Sequence, residues 1–128
     1  MPMDSLWYSF HQMLSVEEII NECKLSKEMG METVIIDDGW QTDDNNRGYA
    51  YCGDWELAES KVGDMKTMVD EIHKIGMKVM LWFSVPFVGE KSKIFDRFKG
   101  MYLYHDSRLG TAVLDPRYKE VRDYLTTV

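Results

Sequence analysis

Apolar residues recur along this chain with two different spacings. Residues 34–36 and 77–83 are nearly continuous apolar runs, which are typical of strands buried on both faces of a parallel sheet. Elsewhere, apolar side chains recur every three or four residues, which predicts helices with one buried face. The helical positions are Val16, Ile19, Ile20 and Cys23 in one segment, and Met65, Met68, Val69, Ile72 and Ile75 in the next. The pattern therefore alternates between strand and helix.

Start and stop signals bound both predicted helices. Ser15, with Glu18 three residues later, is a capping box, and Gly30 is a natural residue just beyond the helix end. Asp64 and Gly76 take the same places around the second helix. Each glycine is followed by methionine and a strand, so the unit repeats. Repeated strand–helix units of this kind predict an α/β fold with a parallel sheet.

The ends of the chain give weaker patterns. Residues 6–10 are short and aromatic, which favours a first strand containing Trp7. After residue 83, the sequence suggests a short helix at 91–99 and an extended run at 111–114. Asp115-Pro116 then favours the start of a last helix.

Composition narrows the functional classes. The chain has 128 residues and a net charge of -7, so one modest domain is expected and nucleic acid is not an expected partner. No apolar run is long enough to span a bilayer, so no membrane partner is expected. Residues 1–15 lack the basic start and apolar core of a signal peptide, which favours a cytoplasmic location. The histidines have no partners at metal-ligand spacing and there is no phosphate-binding loop, so neither a metal nor a cofactor is expected.

Two adjacent carboxylates are the main candidates for chemistry. Asp37 and Asp38 follow a predicted buried strand directly and precede Gly39 and Trp40. In parallel α/β sheets, ligands bind at the carboxyl ends of strands, and charges are rarely buried without partners. We therefore expect the pair at the rim of a cleft, with a bend at Gly39 bringing both carboxylates to one ligand. The alternative is an ordinary strand-end turn.

Tryptophans accompany these carboxylates. Trp82 ends the next predicted strand, and Trp7 lies in the first. Counted from the preceding glycine, Trp82 and Asp38 have the same parity, so we expect them to face one cavity. Flat aromatic faces combined with carboxylates suit a sugar, which presents an apolar CH face and hydrogen-bonding hydroxyls. The alternative is that the aromatic residues belong to the core.

Three motifs, taken in order, resemble a known family. Residues 36–40 (Ile-Asp-Asp-Gly-Trp), 53–55 (Gly-Asp-Trp) and 72–83 resemble the retaining α-galactosidases of glycoside hydrolase families 36 and 27, and family 36 more closely. Residues 5–7 and 113–115 add shorter likenesses. The resemblance implies a (β/α)8 TIM barrel. Residues 1–128 would then be its N-terminal part, about three βα units of a partial glycoside hydrolase catalytic domain.

The resemblance also implies roles for particular residues. Asp37 and Asp38 would hold galactose hydroxyls, and the tryptophans would line the sugar site. The full set of substrate-binding candidates is Asp37, Asp38, Trp82, Trp7, Trp40, Asp54, Trp55 and Arg108. Asp54 lies on a long loop with nothing evident to fix it, and the spacing of Arg108 departs from the family pattern. Further departures are Ser84-Val85-Pro86 in place of Glu-Pro-Glu, and Lys61-Val62-Gly63 in place of Lys-Phe-Pro.

No residue of this chain is expected to be catalytic, because the nucleophile and the acid/base of the family would follow later in a longer protein. The function implied is a fragment of a glycoside hydrolase that cleaves terminal α-galactosides, and the isolated chain would be inactive. One alternative is a raffinose-synthase-like transglycosidase. A second is a magnesium-binding receiver-type signalling domain, in which the acidic pair would follow the first strand, and a third is a non-catalytic sugar-binding module.

Two partners are expected. An α-galactoside carbohydrate is the expected ligand. Because three βα units cannot close a barrel, we also expect the chain to self-associate through exposed strand edges.

Overall fold

A computed structural model describes all 128 residues of the chain, which divides into two compact units. The first unit comprises Met1–Asn46 and Leu57–Phe83, and the second comprises Arg47–Glu56 and Ser84–Val128. No helix is both long enough and apolar enough to cross a membrane.

The first unit contains a three-stranded parallel sheet. Its strands are β1 (Met3–Ser5), β2 (Thr33–Ile36) and β3 (Lys78–Leu81), in the order β1-β2-β3. Its helices are α1 (Trp7–Phe10), α2 (Val16–Glu28), α3 (Glu59–Val62) and α4 (Met65–Ile75). This arrangement confirms the two predicted long helices and the parallel pairing, whereas the one-turn helices α1 and α3 were not predicted.

The predicted helix boundaries are confirmed. The Ser15 hydroxyl oxygen accepts a hydrogen bond from the Glu18 N–H at 3.3 Å, and it also donates to the Glu18 carboxylate at 2.7 Å. The Asp64 carboxylate accepts from the Thr67 N–H at 2.8 Å. Gly30 and Gly76, just past the two helices, have φ of 89° and 87°. Side-chain caps therefore satisfy N–H groups that a helix start leaves unbonded.

The core of the first unit surrounds β2, the central strand. Val34 and Ile36, on one face of the strand, are fully buried, and on the other face Thr33 is 2% exposed while Ile35 is partly exposed. Among the apolar residues of α2 and α4, those that are at most 1% exposed are Ile19, Cys23, Met68 and Ile72. Burial raises the pKa of the Cys23 thiol to about 11, consistent with a core position.

Residues 6–10 do not form the predicted strand. Strand β1 ends at Ser5, although the Leu6 N–H still donates to the Ile35 carbonyl at 3.1 Å. The chain then turns into α1, in which the Phe10 N–H donates to the Leu6 carbonyl at 2.9 Å. Trp7, Tyr8 and Phe10, which suggested a strand, therefore lie after β1 and not within it.

Strand β3 is not buried on both faces as predicted. Its residues alternate between exposed and partly buried, and Met80 is 45% exposed. The reason is its position at the sheet edge, where it pairs with β2 alone.

The second unit contains an antiparallel sheet that the sequence did not predict. Its strands are β4 (Phe87–Gly89), β5 (Tyr102–Asp106) and β6 (Thr111–Leu114), in the order β4-β6-β5. The extended run at 111–114 is confirmed, whereas 91–99 contains only a 3₁₀ turn at Asp96–Phe98. This sheet lies in sequence between β3 and the last helix, α5 (Lys119–Leu125), so a third simple βα unit does not form.

The last helix begins later than predicted. Its N-cap is Tyr118 rather than Asp115. The Asp115 carboxylate instead accepts the backbone N–H of Arg117 at 3.0 Å and contacts its guanidinium at 2.6 Å. Asp115 therefore stabilises a turn ahead of the helix.

The segment at residues 47–56 is built into the second unit. The Gly89 N–H donates to the Cys52 carbonyl at 2.8 Å, and the Tyr124 hydroxyl donates to the Gly53 carbonyl. A Cβ on Gly89 would lie 2.1 Å from backbone atoms of Ala50, so only glycine permits this approach. The core beneath is made of Val88, Phe98, Leu114, Val121 and Tyr124.

Candidate functional site

Three candidate residues follow the carboxyl ends of the three parallel strands. Asp37 and Trp82 come directly after β2 and β3, and the Trp82 N–H donates to the Ile36 carbonyl at 2.9 Å. Trp7 comes two residues after β1, at the start of α1. All three residues are partly exposed. We call Trp7, Asp37 and Trp82 the strand-end row.

Counting from the preceding glycines predicted that Trp82 and Asp38 face the same cavity. This count is wrong by one residue. The register instead sets Trp82 level with Asp37, and Phe83 level with Asp38. The cause is one extra residue between Gly30 and the paired part of β2, compared with Gly76 and β3.

Asp38 is buried rather than placed on an open rim. Its side chain is 2% exposed. The Gln12 amide donates to its Oδ2 at 2.8 Å, and the Gln41 amide donates to its Oδ1 at 2.6 Å. Burial raises the pKa of Asp38, although the hydrogen bonds from Gln41 and Gln12 act in the opposite direction. Since each carboxylate oxygen can accept two hydrogen bonds, Asp38 retains acceptor capacity.

Asp37 is the more accessible member of the pair. Its Oδ1 accepts the backbone N–H of Asp38 at 2.8 Å, and its Oδ2 lies 3.5 Å from the Ser5 hydroxyl, at the limit of a hydrogen bond. The expected bend at Gly39 is present, with φ of 121°. It leaves Asp37 in the strand-end row, however, while Asp38 is held in the interior.

Trp40 joins the loop after β2 to the end of β3. Its indole Nε1 donates to the Trp82 carbonyl at 2.8 Å, and its ring meets the Phe83 ring edge-on with 5.2 Å between centroids. Trp40 is only 3% exposed. Its ring therefore supports the residues around it, and direct contact of Trp40 with a sugar stays a prediction.

Trp7 is held by the loop that follows β1. Its ring meets the His11 ring edge-on, with 5.2 Å between centroids. His11 has φ of 50° and ψ of -128°, a conformation that is strained for a residue with a Cβ. The chain reversal at His11 is followed at once by Gln12, which is 1% exposed and reaches Asp38.

The sequence did not identify three residues of this site, namely Gln12, Gln41 and Lys61. Lys61 is 7% exposed, and its Nζ donates to the Gln12 carbonyl at 2.8 Å and to the Asp44 carbonyl at 2.9 Å. Gln41 had one available signal, because it directly follows the Asp-Asp-Gly-Trp motif. Lys61 had another, because it stands where the family pattern has the lysine of Lys-Phe-Pro, whereas Gln12 lies outside any apolar repeat or motif.

The remaining candidates belong to the second unit. Asp54 is fixed, contrary to expectation, because its carboxylate accepts the N–H groups of Lys93 at 2.8 Å and Ile94 at 3.3 Å. Trp55 has φ of 53°. The Arg108 side chain is 89% exposed and lies 3.6 Å from the Asp106 carboxylate. Roles for Asp54, Trp55 and Arg108 in ligand binding remain predictions.

The titratable side chains do not converge as metal ligands would. No group of three or more His, Cys, Asp or Glu side chains is arranged to hold a metal ion. The hydrogen-bond acceptors of Asp37, flanked by two tryptophans, are instead suited to a neutral polyhydroxyl ligand.

The family is decided by a match over nearly the whole chain. The Melibiase family model matches residues 5–128. This chain belongs to the Melibiase family. Among curated relatives, it is 25% identical over 127 residues to the α-galactosidase AgaA of Geobacillus stearothermophilus, covering 93% of this chain. It is 27% identical over 93 residues, or 70% of its length, to the bifunctional α-galactosidase/sucrose kinase AgaSK of Mediterraneibacter gnavus. The chain spans 17% of AgaA and 10% of AgaSK.

Solved structures show the same fold as this Melibiase chain. The GH36 α-galactosidase AgaB from Geobacillus stearothermophilus matches with a TM-score of 0.86 and 22% identity, over 98% of this chain and 18% of AgaB. A variant of AgaA in complex with raffinose matches with a TM-score of 0.85 and 21% identity, over 98% of this chain and 18% of AgaA. The catalytic domain of these enzymes is of the TIM-barrel type.

The close packing of Gly39 on the Gln12 backbone predicts a large cost for a side chain there. In Gly39→Ala, the new Cβ would lie 2.8 Å from the Gln12 Cα and carbonyl oxygen. Gly30→Ala is a matched control, because Gly30 also has a positive φ but no atom within 4 Å of its added Cβ. We expect Gly39→Ala to lower the free energy of unfolding by about 2–4 kcal/mol more than Gly30→Ala does. Urea unfolding measures this, and equal losses would contradict the observed packing.

The raised pKa of Asp38 predicts that this residue makes the fold more stable as the pH is lowered. Because burial favours the protonated form, the stabilising contribution of Asp38 is present below the unfolded pKa and is lost as pH rises through the folded pKa. Asp38→Asn should lack this gain, so its stability relative to wild type should fall as the pH is lowered. Thermal unfolding across the acid to neutral range tests this prediction. Asp123→Asn, at an exposed position on α5, is the control, and a stability difference between Asp38→Asn and wild type that does not change with pH would refute the prediction.

Proposed function

We propose that this chain forms part of the galactose-binding site of a retaining α-galactosidase. The observation that carries the proposal is the strand-end row, in which a partly exposed carboxylate follows the central strand and a tryptophan follows the strand on each side of it. The family membership and the names of the curated relatives support hydrolysis of α-galactosides as the activity of a longer enzyme. They give no support to the receiver-type interpretation.

The chemistry of the row fits a galactoside. Asp37 would accept hydrogen bonds from sugar hydroxyls, and charged acceptors form the stronger hydrogen bonds. Trp7 and Trp82 would pack against apolar CH surfaces of the sugar. Asp38 would contribute through its remaining acceptor capacity.

We further propose that the chain lacks the residues that break the glycosidic bond. A retaining mechanism needs two carboxylates about 5–5.5 Å apart on opposite sides of the bond, one as nucleophile and one as acid/base. Asp37 and Asp38 are consecutive, and the carboxylate of Asp38 is held in the interior by two amides. They are therefore poorly placed to flank a sugar.

The parallel sheet of the first unit is proposed to correspond to the first three strands of the TIM barrel. The outer edges of β1 and β3 pair with no other strand of the chain. In a complete barrel, each edge would be bonded to a further strand.

Galactose binding tests the proposed site. Galactose titrated into the chain should change its tryptophan fluorescence, and Asp37→Asn should weaken the affinity about tenfold or more, because a charged hydrogen bond contributes about 1.5–3 kcal/mol. Asp70→Asn is the matched control, since Asp70 pairs with Lys66 on the exposed face of α4. An aryl α-galactoside should remain uncleaved by the chain.

Three results would contradict this proposal. Equal affinities for wild type and Asp37→Asn would remove Asp37 from the site. Turnover of the aryl α-galactoside by the purified chain would mean that it holds a catalytic carboxylate pair. A fluorescence response to magnesium and none to galactose would favour the receiver-type alternative.

The exposed sheet edges predict self-association. We expect sedimentation velocity to show concentration-dependent dimers, because unpaired edge strands pair with other chains. Met80→Lys, on β3, should shift the chain towards monomer by placing a charge on this edge, where Met80 is 45% exposed. Met29→Lys is the control, since Met29 is 69% exposed at the end of α2. A monomer at all concentrations would contradict the prediction.

A further inference from the structure

Lys61 is a buried cation whose hydrogen bonds connect two loops. Its side chain lies on the short helix α3 and is 7% exposed. Its Nζ donates to the carbonyl of Gln12, in the loop after β1, at 2.8 Å, and to the carbonyl of Asp44, after β2, at 2.9 Å. A buried ammonium is unfavourable unless it is hydrogen-bonded, so the two carbonyls and the cation hold one another in place.

The charges around Lys61 do not form an ion pair with it. Burial lowers the pKa of Lys61, whereas Asp43, Asp38 and Asp44 favour its charged form. None of these carboxylates is within salt-bridge distance. The ammonium donates to main-chain carbonyl oxygens, so its charge fixes the backbone of two loops.

Gln12 continues the connection from Lys61 to the carboxylates. Its carbonyl accepts from Lys61, its backbone packs against Gly39, and its side-chain amide donates to Asp38 at 2.8 Å. The Asp38 N–H in turn donates to Asp37 at 2.8 Å. A displacement of the Gln12 backbone would therefore change the hydrogen bonding of the Asp38 carboxylate.

We propose that Lys61 and Gln12 are positioning residues for the Asp37–Asp38 pair. Lys61 anchors the loop that carries Gln12, and Gln12 orients the Asp38 carboxylate without touching the ligand. The inference rests on the proposed function in one respect, namely that the carboxylate pair binds a sugar. A purely packing role for Lys61 would affect unfolding but would leave the ionisation of Asp38 unchanged.

The test is a double-mutant cycle read out on Asp38 itself. Titration of the Asp38 carboxyl carbon, followed by NMR, gives its pKa in wild type, Lys61→Met, Gln12→Met and the double variant. The charged groups nearest Asp38 are Asp37 and Lys61. We expect the pKa to rise in each single variant, because each removes an interaction that favours the carboxylate. We also expect Lys61→Met to raise it less in the Gln12→Met background than in wild type, because Lys61 acts partly through Gln12.

Two controls accompany the cycle. Lys66→Met removes an exposed lysine of α4 and should leave the Asp38 titration unchanged. Lys61→Arg retains the cation and should keep the Asp38 titration closer to wild type than Lys61→Met does. Should Lys61→Met fail to fold, Lys61→Gln, which keeps an N–H donor, replaces it in the cycle.

If Lys61→Met raised the pKa of Asp38 equally in the wild-type and Gln12→Met backgrounds, Lys61 would act by its charge alone. This result would overturn the proposal. An unchanged Asp38 titration in folded Gln12→Met would overturn it as well.

Galactose titration of the same variants connects positioning to binding. We expect Lys61→Met to weaken galactose affinity about tenfold, and Lys61→Arg to weaken it less. The Asp38 titration uses no sugar. Absence of galactose binding by the wild-type chain would therefore defeat the proposed function, whereas the cycle alone decides whether Lys61 and Gln12 position Asp38.

Discussion

A carboxylate removed from water requires hydrogen-bond donors, and the loops of the first unit are arranged to meet this requirement at Asp38. One donor, Gln12, comes from the loop after β1, and the other, Gln41, follows Asp38 by three residues. Gln12 reaches Asp38 because Gly39 leaves room for its backbone, and Lys61 holds that backbone from the other side. The burial of one charge thus orders the ends of two neighbouring strands.

This arrangement gives the two adjacent carboxylates different environments. Asp38 is buried and held by two amides, whereas Asp37 is partly exposed. A site built in this way is ordered before a ligand arrives, which lowers the entropy that binding must overcome. The strained backbone of His11, which turns Gln12 inward, belongs to the same arrangement.

Much of the first unit could be predicted, because its signals are local. Caps at Ser15 and Asp64 mark the helices, and the apolar run before Asp37 marks the central strand. The motif residues after that strand also pointed to the strand-end row. The burial of Asp38 was not predictable, because Gln12 is 26 residues away and nothing in the local sequence indicates their contact.

The second unit was harder to predict for the same reason. Strands β4 and β5 are defined by their pairing with β6, and three- to five-residue strands carry little periodicity of their own. The exposure of β3 depends on its position at the edge of the sheet, and a local apolar run does not reveal that position. The predicted alignment of β2 with β3 was wrong by one residue, because the connection from helix to strand differs in length between the two repeats.

The second unit is discontinuous in sequence, because Leu57–Phe83 of the first unit separates its two parts. No single cleavage of the chain can therefore separate the two complete units. Forming the second unit requires residues 47–56 to meet Gly89 and Tyr124, which closes a loop that contains α3, α4 and β3 and carries an entropic cost. Contacts between residues so far apart in sequence are expected to slow folding of the chain.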